Sequence, residues 1–184
     1  MQHSLFTTTR LKIRNLRESD LEAFHHYRSN PDITKYQGFD VFTRDEAKAF
    51  IEEHKDKLFI TPGEWVQYGI ETIGDQQLVG DCAIYLQQKD SRIAETGITI
   101  SQEFQRRGYA QETMKGLMDF LFRKKGIHRI VETVDAENEA SINMLKSLFF
   151  REEGHFIENI FYKGKWGSEY QLAMLYREWK ALKS

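Results

Sequence analysis

The chain has 184 residues, 40% of them hydrophobic and 13% aromatic, enough for one compact domain because a chain of this length buries roughly 70% of its unfolded surface. With 26 Lys plus Arg against 28 Asp plus Glu the formal charge is −2, so no global positive field recommends a nucleic-acid or an anionic-membrane partner. The single cysteine, Cys82, excludes an intramolecular disulfide, no apolar run approaches the ~18 residues of a membrane span, and Met1 to Arg10 lacks a secretion pattern, so the expectation is one cytoplasmic domain over residues 1–184.

The first predicted element is a strand in which Leu11 and Ile13 alternate with Lys12 and Arg14. Ser19-Asp20-Leu21-Glu22 reads as a capping box that opens a helix burying Leu21, Phe24 and Tyr27 and stopped by Asn30-Pro31. After an irregular loop, a second box, Thr43-Arg44-Asp45-Glu46, opens a helix with apolar positions at Ala47, Phe50, Ile51, His54 and Leu58. Trp65 to Ile73, Leu78 to Leu86 and Ile93 to Ile100 then form an antiparallel meander. Met114, Leu117, Met118, Leu121 and Phe122 define a helix stripe capped by Gly126, and the β-rich run Arg129 to Val134 completes a strand-helix-strand crossover with two parallel strands. Ile142, Leu145 and Leu148 mark a further helix. Tyr170, Leu172, Met174 and Tyr176 alternate in a last strand that pairs with Phe156 to Tyr162. The predicted order is β-α-α-β-β-β-α-β-α-β-β.

The most informative stretch is Ile98-Thr99-Ile100-Ser101-Gln102-Glu103-Phe104-Gln105-Arg106-Arg107-Gly108-Tyr109-Ala110-Gln111, a strand, a turn and a helix start. The first amides of a helix lack intrahelical acceptors and carry the positive end of its dipole, so main chain alone can bind a phosphate there. Gly108 and Ala110 allow close approach, and Arg106 and Arg107 add charged donors, although two arginines on a surface turn are commonly just solvated. Neither G-x-x-x-x-G-K-[ST], nor G-x-G-x-x-G, nor G-x-S-x-G occurs, and the six histidines show no ligand spacing, so no metal is expected.

Gln105-Arg106-Arg107-Gly108-Tyr109-Ala110 resembles the Q/R-x-x-G-x-G/A signature of the GNAT N-acetyltransferase family, and Asn138-Glu139-Ala140-Ser141 with the following apolar helix resembles its second motif, Phe149 standing where the family has glycine. Arg10 to Arg14, Trp166, Glu169-Tyr170 and Met174-Leu175 resemble the RimJ/RimL-like branch of ribosomal-protein N-terminal acetyltransferases. The resemblance covers residues 9 to 177. It implies an α/β (α+β) fold of GNAT type, with a mixed, mostly antiparallel sheet of about seven strands and helices on both faces. It further implies that acetyl-CoA lies where the strands Glu95 to Ile100 and Ile130 to Val134 splay apart. Main-chain groups of Ile98 and Ile100, with Thr99 between them, would then pair with the pantetheine arm, the amides around Arg106 to Ala110, flanked by Gln105 and Gln111 in the same donor site, would hold the pyrophosphate, and Asn138 would contact the pantetheine or its neighbourhood.

Acetyl transfer from a thioester to an amine requires removal of a proton from nitrogen, a stabilised oxyanion and a proton for the departing thiolate. Glu95 is the first candidate base and Glu71 the reserve; either can equally be a solvent-facing residue of an alternating sheet. A backbone amide near Ile98 would meet the oxyanion. Many relatives place a tyrosine seven residues after the motif asparagine, where this chain has Leu145, so the candidate acid becomes Ser141, with Asn138 and Ser141 also readable as a simple helix cap. Cys82 fits a buried apolar role better than a nucleophile, which favours direct attack by the amine.

The resemblance places the acceptor between residues 29–42 and 157–168, where Tyr36, Phe39, Phe42, Phe161, Tyr162 and Trp166 accompany Asp32, Asp40 and Glu158. That mixture suits an amine: a protein N-terminus, a polyamine, an aminoglycoside or a small metabolite. Two other readings stand beside the enzyme, a non-catalytic acyl-CoA-binding module and a general phosphate-ligand domain. The final hairpin also offers an edge able to pair in a homodimer.

Overall fold

Among the described residues there are eight strands: β1 (Ser4–Thr7), β2 (Leu11–Asn15), β3 (Trp65–Thr72), β4 (Leu78–Leu86), β5 (Ile93–Ile100), β6 (Arg129–Asp135), β7 (Arg151–Tyr162) and β8 (Lys165–Leu175). In the computed structural model, which describes residues 4–59 and 61–183, they form one sheet in the order β1-β2-β3-β4-β5-β6-β8-β7. Every neighbouring pair is antiparallel except β5 and β6. His3 and the ends of the 1–184 domain lie outside the described residues.

The helices are α1 (Leu21–Arg28), the single turn α2 (Pro31–Thr34), α3 (Arg44–His54), α4 (Tyr109–Met118), α5 (Glu139–Ser147) and the short α6 (Tyr176–Ala181). Helix α3 starts as its sequence predicts: the Thr43 hydroxyl accepts from the Glu46 amide and the Glu46 carboxylate accepts from the Thr43 amide. The Ser19 box at α1 does not form. Asp20 turns its carboxylate onto the buried Arg14 guanidinium, at 2.7 and 2.8 Å, and onto the Arg17 amide at 2.7 Å, because a desolvated cation claims the nearest anion.

The predicted loop after Asn30 contains α2, opened by Asn30 accepting from the Asp32 amide with Pro31 at the first helical position. Helix α4 passes into a π turn over Asp119–Lys124, where Phe120, Leu121 and Phe122 are all buried in succession; Gly126 ends it with φ 69°, as predicted. Leu58 falls beyond α3 and is exposed, and the last strand stops at Leu175, where Glu178 accepts from the Leu175 amide and starts α6. Strand β1 is absent from the sequence reading; it docks Phe6 on Phe120, with ring centroids 5.5 Å apart.

The two faces of the sheet differ in chemistry. One carries Ile13, Ile70, Ile100, Tyr68, Cys82 and Ile84, and packs on Met114, Leu117 and Met118 of α4 and on Ile142, Leu145 and Leu148 of α5. The other carries Arg14, Gly69, Asp81 and Thr99 in one cross-strand row. It is covered by α1 and α3, whose Phe24, Tyr27, Ala47 and Ile51 form a second apolar cluster with Leu16 and Leu78. Cys82 is buried as expected, and burial pushes its thiol well above the ordinary range.

Candidate active site

Strands β5 and β6 pair only at Ile93–Arg129, Ala94–Ile130 and Glu95–Val131, after which they part. Beyond that apex β5 continues to Ile100 on β4, and β6 continues to Asp135 on β8. The wedge opens into a cavity of about 630 Å³ lined by both strands, by the loop before α4 and by α5. Crossover connections put a helix N-terminus at the end of each diverging strand, which is where α/β sheets commonly bind ligands.

Gly108 is the N-cap of α4 with φ 79°, and Arg106 also sits in the left-handed region with φ 61°. This loop is pinned from three sides. Gln105 donates to the Ile100 carbonyl at 3.1 Å, Arg107 donates to the Glu103 carbonyl at 2.9 Å, and Arg10 donates to the Arg107 carbonyl at 3.0 Å. Glu112 in the first turn of α4 takes Thr8 Oγ1 at 2.6 Å and Arg10 Nε at 2.7 Å. Burial opposes its charge, but these bonds outweigh it and hold the carboxyl below the ordinary range. Thr8 and Arg10 reach this loop from about a hundred residues away in sequence, and no motif links them to Glu112.

Of the residues singled out in the sequence, Ile98, Ile100, Gln105, Arg106, Gly108, Tyr109, Ala110, Gln111, Asn138 and Ser141 line this one cavity. Leu145 lines it too, in the place of the tyrosine. Thr99 and Arg107 do not: Thr99 shares a row with Asp81 on the opposite face, and Arg107 is bound to Glu103 and lies over the Phe104 ring. Asn138 caps α5, accepting from the Ser141 amide at 3.2 Å, so the capping and lining roles coexist.

Glu95 lies at the apex of the wedge, in the cross-strand row Trp65–Tyr85–Glu95–Val131–Ala173, on the face opposite the cavity-lining Thr96; it accepts from Gln87 at 3.1 Å. The reserve base, Glu71, is corrected: it is buried and binds Arg14 Nε at 2.7 Å and Arg17 at 3.0 Å, which leaves it no access to a substrate. Further along the Glu95 face, Asp135 and Glu169 stand directly opposite each other on β6 and β8. Asp135 accepts from the Tyr162 hydroxyl at 2.7 Å; burial and then this acidic surrounding push the Tyr162 phenol well up.

Among the expected acceptor aromatics, Tyr36 lines the wedge cavity and, with Tyr162, a second hollow of about 360 Å³ that also meets Asp40 and Glu137. Phe39 and Phe42 instead pack around the Arg28 guanidinium, while Phe161 and Trp166 stand edge to face on the exposed β7–β8 hairpin.

The residue that sequence reasoning missed is Glu132. It lines the cavity from β6, is buried, and has as its partner the Thr96 hydroxyl, which donates at 2.5 Å. Burial pushes this carboxyl up to about 8; the Thr96 hydrogen bond works against the rise and the nearby Glu95 charge adds to it. Glutamate in a β-rich run carries no signal of burial, so nothing in the sequence marks it.

Residues 10–151 match the acetyltransferase (GNAT) domain family. Over 173 residues the chain is 29% identical to the uncharacterized N-acetyltransferase YnaD of Bacillus subtilis, covering 94% of this chain and 98% of that one. It is 25% identical over 176 residues to the spermidine N(1)-acetyltransferase of Escherichia coli, covering 93% and 89%. The crystal structure of a GNAT-family acetyltransferase from Bacillus anthracis superposes with a TM-score of 0.86 at 27% identity, covering 97% of this chain and all 100% of that one.

Proposed function

Since this chain belongs to the acetyltransferase (GNAT) family and is an N-acetyltransferase, we propose that it moves the acetyl group of acetyl-CoA to a primary amine by direct attack in a ternary complex. The observation that carries the reading is the wedge between β5 and β6, with a helix N-terminus and a left-handed glycine at its mouth. The residues fit the donor. The first amides of α4 and the Arg106 guanidinium suit a pyrophosphate, and the edge of β5 from Thr96 to Ile100, with no strand beside it on the wedge side, suits the amide groups of a pantetheine arm. Acetyl-CoA supplies the activated acyl group and a thiol leaving group.

The chain's own residues then fill three roles. Glu95, half-buried at the apex of the wedge, takes a proton from the amine directly or through water; an alkyl ammonium with a pKa near 10 needs such help at neutral pH. A β5 amide near Ile98 holds the carbonyl oxygen as its charge grows. Ser141, or solvent, passes a proton to the departing sulfur. The same architecture suits a protein α-amine, the acceptor of the RimJ/RimL-like branch, and a small-molecule amine. A polyamine is favoured by a specific observation, the carboxylates Asp135 and Glu169 directly opposite each other further along the face that carries Glu95, since adjacent carboxylates gain from a cation bound between them. The spermidine acetyltransferase among the relatives supports the same alternative.

The test is thermal unfolding with acetyl-CoA, CoA, ATP and NAD in parallel, followed by a panel of amines assayed by release of CoA thiol. A ligand at 100 times its dissociation constant stabilises the native state by about 2.7 kcal/mol. The expected outcome is a selective rise with the two CoA species and thiol release with at least one amine. A rise without any turnover points instead to the binding module, and an equal rise with ATP to a general phosphate site.

A further inference from the structure

Glu132 is a buried carboxyl with no cation beside it among the described residues, placed one residue past the apex where β5 and β6 separate. It shares the cavity wall with Leu145, Ser141 and Met144 of α5, and with Thr96 and Met114 across the wedge. The groups it faces are few. Thr96 donates to it, and Glu95, on the other face of the adjacent strand, is the charge that bears on it. A carboxyl kept in an apolar wall without an arginine costs stability, and such a cost is commonly met at sites of chemistry.

Building on the proposed acetyl-CoA site, we infer that Glu132 is the general acid of the transfer, the source of the proton that the departing CoA sulfur receives. Its acidity suits that role, because burial holds it at about 8, close to a thiol near 8.5, so the carboxyl carries its proton at neutral pH and gives it up readily. A serine hydroxyl only passes on a proton recovered from elsewhere, so Ser141 serves at most as a relay. From the neutral amine, the C–N bond forms as the C–S bond breaks. The proton shed by nitrogen goes to Glu95 and the Glu132 proton goes to sulfur; one proton returning through water from Glu95 to Glu132 restores the enzyme. The two carboxyls thus work from opposite faces of one strand pair, and burial is what keeps the proton on Glu132.

The experiment compares wild type with Glu132→Gln, Ser141→Ala and Thr96→Val, using acetyl-CoA and whichever amine of the panel releases most thiol. Three readouts are taken: the pH profile of kcat, the KM for acetyl-CoA, and the infrared carbonyl band of protonated carboxyls in the ligand-free protein at pH 7. In Glu132→Gln, kcat at pH 7 falls about 100-fold or more, KM is unchanged, the fall in rate above pH 8 disappears, and one protonated-carboxyl band is lost. Ser141→Ala keeps the alkaline fall. Thr96→Val, which removes the hydrogen bond favouring the charged form, moves that fall to higher pH, and this variant decides the matter if Glu132→Gln does not fold. Coincident profiles for wild type and Glu132→Gln, both stabilised by acetyl-CoA, overturn the inference alone, as does a ligand-free protein with no protonated Glu132 band. If acetyl-CoA stabilises neither protein, the site reading fails and the inference fails with it.

Discussion

Buried acids occur on both faces of the sheet, and they are handled in opposite ways. Under α1 and α3, Asp20 and Glu71 bind Arg14, and Asp81 binds Arg28 at 2.5 Å with Tyr27 donating at 2.7 Å and Gln67 donating as well. Burial opposes the charge of Arg14, but its hydrogen bonds to Asp20 and Glu71 outweigh that and hold its pKa above the ordinary value. Phe24, Phe39, Phe42 and Phe50 surround the Arg28 guanidinium. On the α4 and α5 face Glu132 has, among the described residues, a hydroxyl and no cation. The first arrangement fixes charges to hold α1 against the sheet. The second stores a proton beside the cavity. A carboxyl's role follows from its partners, not from its burial, since burial is common to both.

The comparison breaks first at Asp81. Asp81→Ala leaves Arg28 buried without its anion and is expected to cost about 3–5 kcal/mol, read as a lowered midpoint in urea unfolding. Next comes the cavity mouth: Gly108→Glu puts a carboxylate, and a side chain in a left-handed conformation, at the start of α4. It should abolish the acetyl-CoA-induced rise in melting temperature, a loss of about 2.7 kcal/mol at 100 times the dissociation constant, while the protein stays folded.

Glu132→Gln should act in the opposite sense to Asp81→Ala. The folded protein keeps the Glu132 proton up to about pH 8, whereas the unfolded chain loses it near 4.5, so wild-type stability falls as pH rises through that window. Glutamine carries no such dependence. The variant should therefore match wild type near pH 4.5 and exceed it by on the order of 2–3 kcal/mol at pH 7, seen as a widening gap in melting temperature.

Glu95→Gln sharpens the link between the faces. It should leave acetyl-CoA binding intact and reduce turnover. By removing the neighbouring charge that raises Glu132, it should also shift the ligand-free Glu132 titration downward in infrared measurements. The smallest effect is expected far from both regions. Phe149 adopts φ 65° at the end of α5, is 68% exposed, and lets the Phe150 amide reach the Leu145 carbonyl at 3.1 Å. Phe149→Gly relieves the left-handed strain against glycine's greater chain entropy, for a gain below about 1 kcal/mol in denaturant unfolding. Phe149 itself takes the left-handed backbone that glycine adopts at least cost, so the helix end forms without the glycine.

Much of the architecture was legible because it is written in local patterns. The α3 capping box, the α4 stripe, the bounds of β4 and β5, and Gly108 at the start of α4 all depend on residues within a few positions of one another. The crossover rule then carried the parallel β5–β6 pair, while the wedge between the two strands came from the family resemblance. Elements without a periodic signature were not legible: β1 is four residues long, α2 is a single turn, and α6 begins inside an alternating run at Tyr176.

The sequence by itself determined the order of the main elements, the glycine turn that opens α4 and the family. Tertiary structure alone decided which acids are buried and with whom. Ser19 and Asp20 spell a helix cap until Arg14, on another strand, takes the Asp20 carboxylate. Glu71 and Glu95 look alike in their strands until two arginines close over one of them. Glu132 is one polar letter in a β-rich run until the splay of β6 from β5 turns it into a cavity wall opposite Thr96. Protonation depends on desolvation and on charges brought together across the sheet, and neither exists until the chain has folded.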